Sequence, residues 1–317
     1  MPQTLEIASE AFLQAQNKAI ELKVPLIVCG DTLDTKDIMR AQCVNKIIDL
    51  VRSKKNLSHI FLVGNHDMVN EKANGHSLNF LKLLANCEII DRPTHVCDMY
   101  LIPYQASPSV FGSLVKTKTG IILCHQGVQG ANMGHYVLDK TSITQDEVAG
   151  KRIISGHYHA RQDISLKDNG LWSYIGNPYT LSFGEARDPD KGFQILMEDG
   201  LLEFISTDLR RHKVIEMTLT DTEYERPTIR SNDIVWVKIT GSSIDLDRLN
   251  KKELGERLFG HSNFRFDKIP NDRAEIEITT TPTSKMELLN QVIDTTDESL
   301  QNKTALKELA LELLNEN

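Results

Sequence analysis

The sequence predicts an α/β protein, and three observations carry that prediction. Short apolar runs recur along the chain in VPLIVCGD, HIFLVGNHD, GIILCHQG and KRIISGHYH. Stretches of helical period precede the first two of them. All four runs end alike, at Gly, Asp, Asn or His. An α/β sandwich whose strands end in polar residues gathers function at their carboxyl ends, where open sheets bind ligands.

The elements follow in order. Leu5, Ala8, Phe12, Ala15, Ala19 and Leu22 recur at spacings of three and four and predict a helix over 4–22. VPLIVCGD reads as a buried strand, Ile38 to Val51 as a second amphipathic helix, and HIFLVGNHD as a second buried strand. GIILCHQG and KRIISGHYH repeat the strand pattern. Past residue 220 the character changes. DTEYERPTIRSND is a polar, proline-containing linker candidate. IVWVKIT, a helical stretch from Ile244 to Phe259, FRF and the alternating RAEIEIT then predict a small α+β domain, closed by TTTPTS. Met286, Leu289 and Ile293 line one terminal amphipathic helix, and Leu306, Ala310 and Leu313 line another. Helices this short are marginal alone, so they either fold back or dock onto another protein. The expected boundaries are 1–222, 223–280 and 281–317.

Bulk properties narrow the function. A chain of 317 residues builds one large domain or two. No apolar run approaches the roughly 18 residues that span a bilayer, and MPQTLEIASE has no signal-peptide pattern, so a cytoplasmic protein without membrane contact is expected. The five cysteines include no CxxC, and Cys29 and Cys124 end apolar runs, which makes them small hydrophobes. A net charge of -8 argues against gripping DNA by a global field alone, while leaving room for a local basic surface or a basic partner.

The strand endings supply Asp31, Asn65, His66, Asp67, His125, His157 and His159. Singly, each has an ordinary role: Asp31 and Asp67 as caps, Asn65-His66 as a turn, His125 as a core histidine. At an extended strand end, residues i and i+2 face one way, so His157 and His159 would face one spot. Together, a carboxylate, an amide oxygen and several imidazoles suit Mn, Fe or Zn better than Ca or Mg. A bridging Asp between two cations about 3.5–4 Å apart is a device for in-line displacement at phosphorus.

GD, GNHD, CHQG and GHYH, in this order, resemble the calcineurin-type metallophosphoesterase signature. More narrowly the chain resembles the SbcD nuclease family of double-strand-break repair and its phage counterparts. WSYIGNPYTLSFGEARDPDKGF, the small capping domain and the terminal helical pair carry that narrower likeness. The resemblance implies a metallophosphoesterase sandwich of mixed sheets flanked by helices. It implies that Asp31 bridges two Mn2+ ions, that Asn65, His125 and His157 complete one site, and that His159 belongs to the other. His66 would act as general acid or stabilise the leaving oxygen, and Asp67 would orient its imidazole. The implied activity is hydrolysis of DNA phosphodiesters, as exonuclease or endonuclease, in DNA repair and recombination. The implied partners are DNA, an SbcC-like ATPase bound by the terminal helices, and a second copy of the chain in a homodimer.

One family element has no counterpart here. A first strand ending in Asp-x-His supplies two ligands of the site that His159 shares, and this sequence contains no Asp-x-His. A late start, a one-metal variant and a silenced scaffold are the alternatives. One intact and one crippled metal site are expected, with activity reduced or absent. Arg161, Arg187 and Lys191 are candidate DNA contacts, with solvated surface charge as the plainer role. Tyr158, Tyr179 and Phe183 offer rings for a splayed base, with core packing as the plainer role. A stand-alone phosphoesterase acting on small phosphoesters is the alternative enzyme.

Overall fold

A computed structural model describes residues 3–35, 38–70, 75–134, 137–188, 190–219, 229–230, 232–260, 264–271, 285–294 and 300–315. Helix α1 (Gln3–Leu22) leads to strand β1 (Leu26–Val28), helix α2 (Ala41–Ser53), β2 (His59–Leu62) and β3 (Cys87–Ile90). Then come β4 (Thr94–Val96), β5 (Met99–Ile102), α3 (Pro108–Val115), β6 (Ile121–Cys124), β7 (Arg152–Ser155), β8 (Gln162–Ser165) and β9 (Leu171–Tyr174). A hairpin of β10 (Gly192–Leu196) and β11 (Leu202–Ser206) precedes β12 (His212–Thr218), β13 (Ile234–Gly241), α4 (Ser243–Asp247), α5 (Lys251–Phe259) and β14 (Arg265–Pro270). Helices α6 (Lys285–Asp294) and α7 (Leu300–Asn315) follow.

The first sheet is parallel, in the order β1-β2-β3. The second runs β4-β5-β6-β7-β9-β8, parallel through β5, β6, β7 and β9 and antiparallel at both edges. Side chains alternate across each strand and so define the layers. Ile60 and Leu62 of β2, Leu101 of β5, Leu123 of β6 and Ile154 of β7 meet in one core between the sheets. Phe61 turns to the opposite face, where Val51 of α2 and Phe12 of α1 cover it. Tyr100, Ile102, Ile122, Cys124 and Ile153 form the outer face of the second sheet, packed on Phe111 and Val115 of α3. The result is helices, sheet, sheet, helix: the expected α/β sandwich, in which the second sheet is mixed and the first is parallel.

Differences from the sequence pattern have local causes. Strand β1 is half-buried because it lies at an edge of its sheet. In α1 the buried face passes through Ile7, Ala11 and Ala19, whereas Leu22 is exposed. That face also holds a polar residue: Gln16 donates to the Leu50 carbonyl at 3.1 Å and sits 2.9 Å from His59 Nε2. The single helix expected over 244–259 is two, α4 and α5. In β13, residues alternate between half-buried and buried, as a strand with one covered face requires. β12, β13 and β14 form a three-stranded sheet in that order. RAEIEIT, TTTPTS and most of the linker candidate lie outside the described residues.

The chain divides into two compact units. One comprises 1–216, 225–238 and 251–267; the other comprises 217–224, 239–250 and 268–317. In the second, α6 packs on α7, and Lys303 Nζ donates to the Asp294 carbonyl at 2.8 Å. All five cysteines are free, and burial pushes the Cys29 and Cys124 thiols up to about 12. No helix among the described residues is long and apolar enough to cross a membrane. Phe111 is fully buried against the second sheet, 5.9 Å from the Trp172 ring. Phe111→Ala should therefore cost about 3–5 kcal/mol, measured as a lowered urea midpoint with an unchanged slope.

Candidate metal centre

Four of the sequence-predicted residues converge at the carboxyl ends of the two sheets. Asp31 follows β1 and Asn65 follows β2, both from the first sheet; His125 follows β6 and His157 follows β7, both from the second. His125 Nε2 lies 3.1 Å from Asp31 Oδ2 and 2.9 Å from Asn65 Oδ1. His157 Nδ1 lies 3.0 Å from the same Asn65 oxygen. Asp31, His125 and His157 each offer a ligand atom within 4.8 Å of the others.

The chemistry of this donor set fits a divalent cation. His125 Nδ1 donates to the Cys29 carbonyl at 2.7 Å, so the lone pair of a neutral ring sits on Nε2. That lone pair would face the Asp31 and Asn65 oxygens, three acceptors with nothing to donate between them. Either a proton on His125 or a cation has to sit there. With donor atoms about 2.1 Å from a metal, separations near 3 Å are those of adjacent ligands.

Electrostatics agree. Burial opposes the Asp31 charge, but the hydrogen bond and charge of His125 and the His66 N–H hold its carboxyl low. Burial likewise opposes a charged His125, and Asp31 outweighs it and raises the imidazole. His157 is pushed down to about 4, first by burial and then by the charge of His125.

The backbone is bent to achieve this. Asp31 has φ 52° and His157 has φ 80°, a left-handed region that non-glycine residues avoid. His157 therefore leaves the strand path, and the expectation that His157 and His159 face one spot from an extended strand fails. Gly30 and Gly156 make the close approach possible. A Cβ at Gly30 would lie 2.1 Å from His125 Nδ1, and one at Gly156 would lie 2.1 Å from the Cys29 carbonyl oxygen.

The remaining candidates surround this group. The backbone N–H of His66 donates to Asp31 Oδ1 at 2.9 Å, and its Nδ1 lies 2.7 Å from the Asp34 carbonyl. Asp67 was expected to orient that ring. Instead its buried carboxylate accepts the N–H groups of Leu33 and Gly64, both at 2.9 Å, and Asp34 holds the imidazole. Burial raises the Asp67 carboxyl to about 6 against those two bonds. Asp67 thus ties the loop after β1 to the loop after β2. His159 stands outside the convergent group, half-exposed, with Nδ1 2.9 Å from Glu185 Oε1.

Lys191 has no surface to offer DNA. It is fully buried, and its ammonium is held by Glu185, Asp188 and the His159 carbonyl. Arg161 is paired with Asp190 and lies over the Phe204 ring; Arg187 is exposed, 3.4 Å from Glu216. Tyr158 is core: its hydroxyl donates to Asp139 at 2.6 Å. Tyr179 packs with Ile7, Ala11 and Leu209, and Phe183 lies against His212 and Trp236.

Sequence reasoning missed Tyr104, whose ring lies 6.5 Å from that of His125 and 6.3 Å from that of His157. It also missed Asp34, which acts through its backbone, and Glu185, and it singled out Lys191 only as a DNA contact. Lys191 stands in an ordinary-looking charged loop, and only its burial reveals it.

This chain is similar to exonuclease subunit 1 of Enterobacteria phage T4. The two are 26% identical over 260 residues, 74% of this chain and 71% of that protein. No family model matches the sequence.

Tyr158 backs the His157 ring at 4.6 Å, and its own partner Asp139 is a buried carboxylate. Burial opposes the Asp139 charge, but Ser142, Tyr158 and two backbone N–H groups hold the carboxyl low. A depressed folded value stabilises the fold above the unfolded value of about 3.9 and is lost as pH falls through the folded one. Asp139→Asn should lower stability at neutral pH by about 1–3 kcal/mol. Its urea midpoint should also fall less steeply than wild type on acidification below about pH 4.

Proposed function

We propose that this chain is the nuclease subunit of a DNA-processing complex, hydrolysing phosphodiester bonds with Mn2+ held by Asp31, Asn65, His125 and His157. The observation that carries the reading is the convergence of those four side chains from separate strands. Similarity to a phage exonuclease subunit over most of the chain supports it. A bound cation would polarise a phosphate oxygen and lower the pKa of a water.

The chain's own residues supply the rest. Cys29 fixes the His125 tautomer through its carbonyl, as partners of metal-bound histidines commonly do. The two Asp67 bonds hold Gly64 and Leu33 in register, and with them the loops that carry Asn65 and Asp31. With Nδ1 donating to the Asp34 carbonyl, a neutral His66 presents its Nε2 lone pair outward, and the ring, once doubly protonated, would hand the Nε2 proton to a leaving oxygen.

Asp31, His125 and His157 are the only such donor group among the described residues. We accordingly assign this polypeptide one complete cation site, and His159 to a second, incomplete one. Its hydrolysis should be weak beside that of a two-cation enzyme. DNA would be met in part through exposed Arg187. Helices α6 and α7 present exposed Leu289, Val292, Leu306 and Leu309, which suit docking to an SbcC-like ATPase. The working assembly would contain two copies of this chain.

Calorimetry with Mn2+ tests the centre. One ion should bind per chain, and Asp31→Ala and His157→Ala should each weaken binding by about 100-fold or more, with far-ultraviolet circular dichroism unchanged. Hydrolysis of linear duplex DNA should fall in parallel. Wild-type protein that binds no Mn2+ would overturn the reading. Removing residues 281–317 should abolish co-purification with the ATPase and leave Mn2+ binding intact; retained co-purification would overturn the docking role.

A further inference from the structure

A second charged cluster lies outside the convergent donors and is organised around a buried lysine. Lys191 is fully buried, and its Nζ donates to three acceptors: Glu185 Oε2 at 2.8 Å, the His159 carbonyl at 3.0 Å and Asp188 Oδ2 at 3.2 Å. An ammonium has three protons, and all three are placed. The other Glu185 oxygen faces His159 Nδ1 at 2.9 Å. Lys191 thus holds His159 twice, at its backbone directly and at its ring through Glu185. The N–H of Asn177 adds a second bond to the His159 carbonyl at 2.9 Å, and Leu181 N–H bonds Glu185 Oε2 at 3.2 Å.

This arrangement has a consequence for the ring. An ionised carboxylate only accepts, so the nitrogen facing Glu185 must carry the proton. A half-exposed imidazole without such a partner samples both tautomers and several rotamers. Burying a lysine to brace a carboxylate is a costly way to hold a surface loop, and a direct way to hold a ring.

We propose that Lys191 and Glu185 are positioning residues that lock the His159 ring with Nδ1 protonated, leaving Nε2 as its open donor atom. The lock itself stands on the geometry alone. Only the use of Nε2 toward a cation rests on the function proposed above.

The test is the long-range 1H–15N spectrum of the full-length, metal-free protein labelled at histidine, recorded at about pH 8.5, well above the ordinary imidazole range. Wild-type His159 should show the pattern of a single Nδ1–H tautomer. Glu185→Ala should give the averaged pattern of a free imidazole. Glu185→Gln, whose side-chain carbonyl still accepts, should restore the single tautomer. Lys191→Met should move His159 toward the averaged pattern while His125 and His157 keep theirs, which a merely structural lysine would not do. If Lys191→Met loses the His125 pattern and so fails to fold, the Glu185 pair decides. An averaged wild-type pattern overturns the proposal, as does a His159 pattern indifferent to Glu185→Ala.

Zn2+ added to wild-type protein separates the two claims. A displaced His159 Nε2 signal supports its use as a ligand. A fixed tautomer with no response to Zn2+ upholds the lock and overturns only the cation role of His159.

Discussion

Everything at the candidate centre depends on one side chain that joins the two sheets. His125 leaves the end of a central strand of the second sheet and bonds, through Nδ1, the backbone of Cys29 in the first. Its other nitrogen meets Asp31 and Asn65, again from the first sheet. A side chain that is 2% exposed and bonded at both ends has one rotamer open to it. The position of the inter-sheet core and that of the donor atoms are therefore a single constraint. Close packing of Leu62, Leu101, Leu123 and Ile154 fixes the distance across which His125 has to reach.

The parts of the fold legible in the sequence were those with strong local pattern. Apolar runs ending in Gly-Asp, Asn-His-Asp, His-Gln-Gly or Gly-His gave β1, β2, β6 and β7: an interior strand covered on both faces reads as continuous apolar residues, and the half-buried edge strand β1 keeps the same run. Strands β8, β10, β11 and β12 escaped because most of their residues are half-buried or exposed and lack that continuity. Among site residues, types and strand-end positions pointed to Asp31, Asn65, His125 and His157 together. The role of Asp67 was misread because backbone N–H groups, its real partners, leave no mark in a sequence. The geometry of His157 was misread because a positive φ at a non-glycine residue has no signature either.

Charged residues were the hardest to place. Lys191 and Arg187 look equivalent on the page, four residues apart in one loop. One is fully buried among three acceptors and the other is exposed beside Glu216. Removing one partner of a buried ion pair costs about 3–5 kcal/mol, because the charge left behind has no water. The pair at Lys191 is consequently a point where the loop carrying Glu185 and the turn carrying His159 cannot move apart independently. Burial works against the Glu185 charge, yet hydrogen bonds from His159 and Lys191 hold its carboxyl at about 2, so the link persists across the ordinary pH range.

The missing side chains at Gly30 and Gly156 have a consequence of their own. Each leaves about 2 Å between its would-be Cβ and an atom of the opposing sheet, so the sheets touch at this end with nothing between them. A single methyl group there would act as a spacer, prying the layers open at the very place where the donors gather. Substitutions that accumulate over time should therefore be scarce in this narrow seam and plentiful at the far rim of the sandwich.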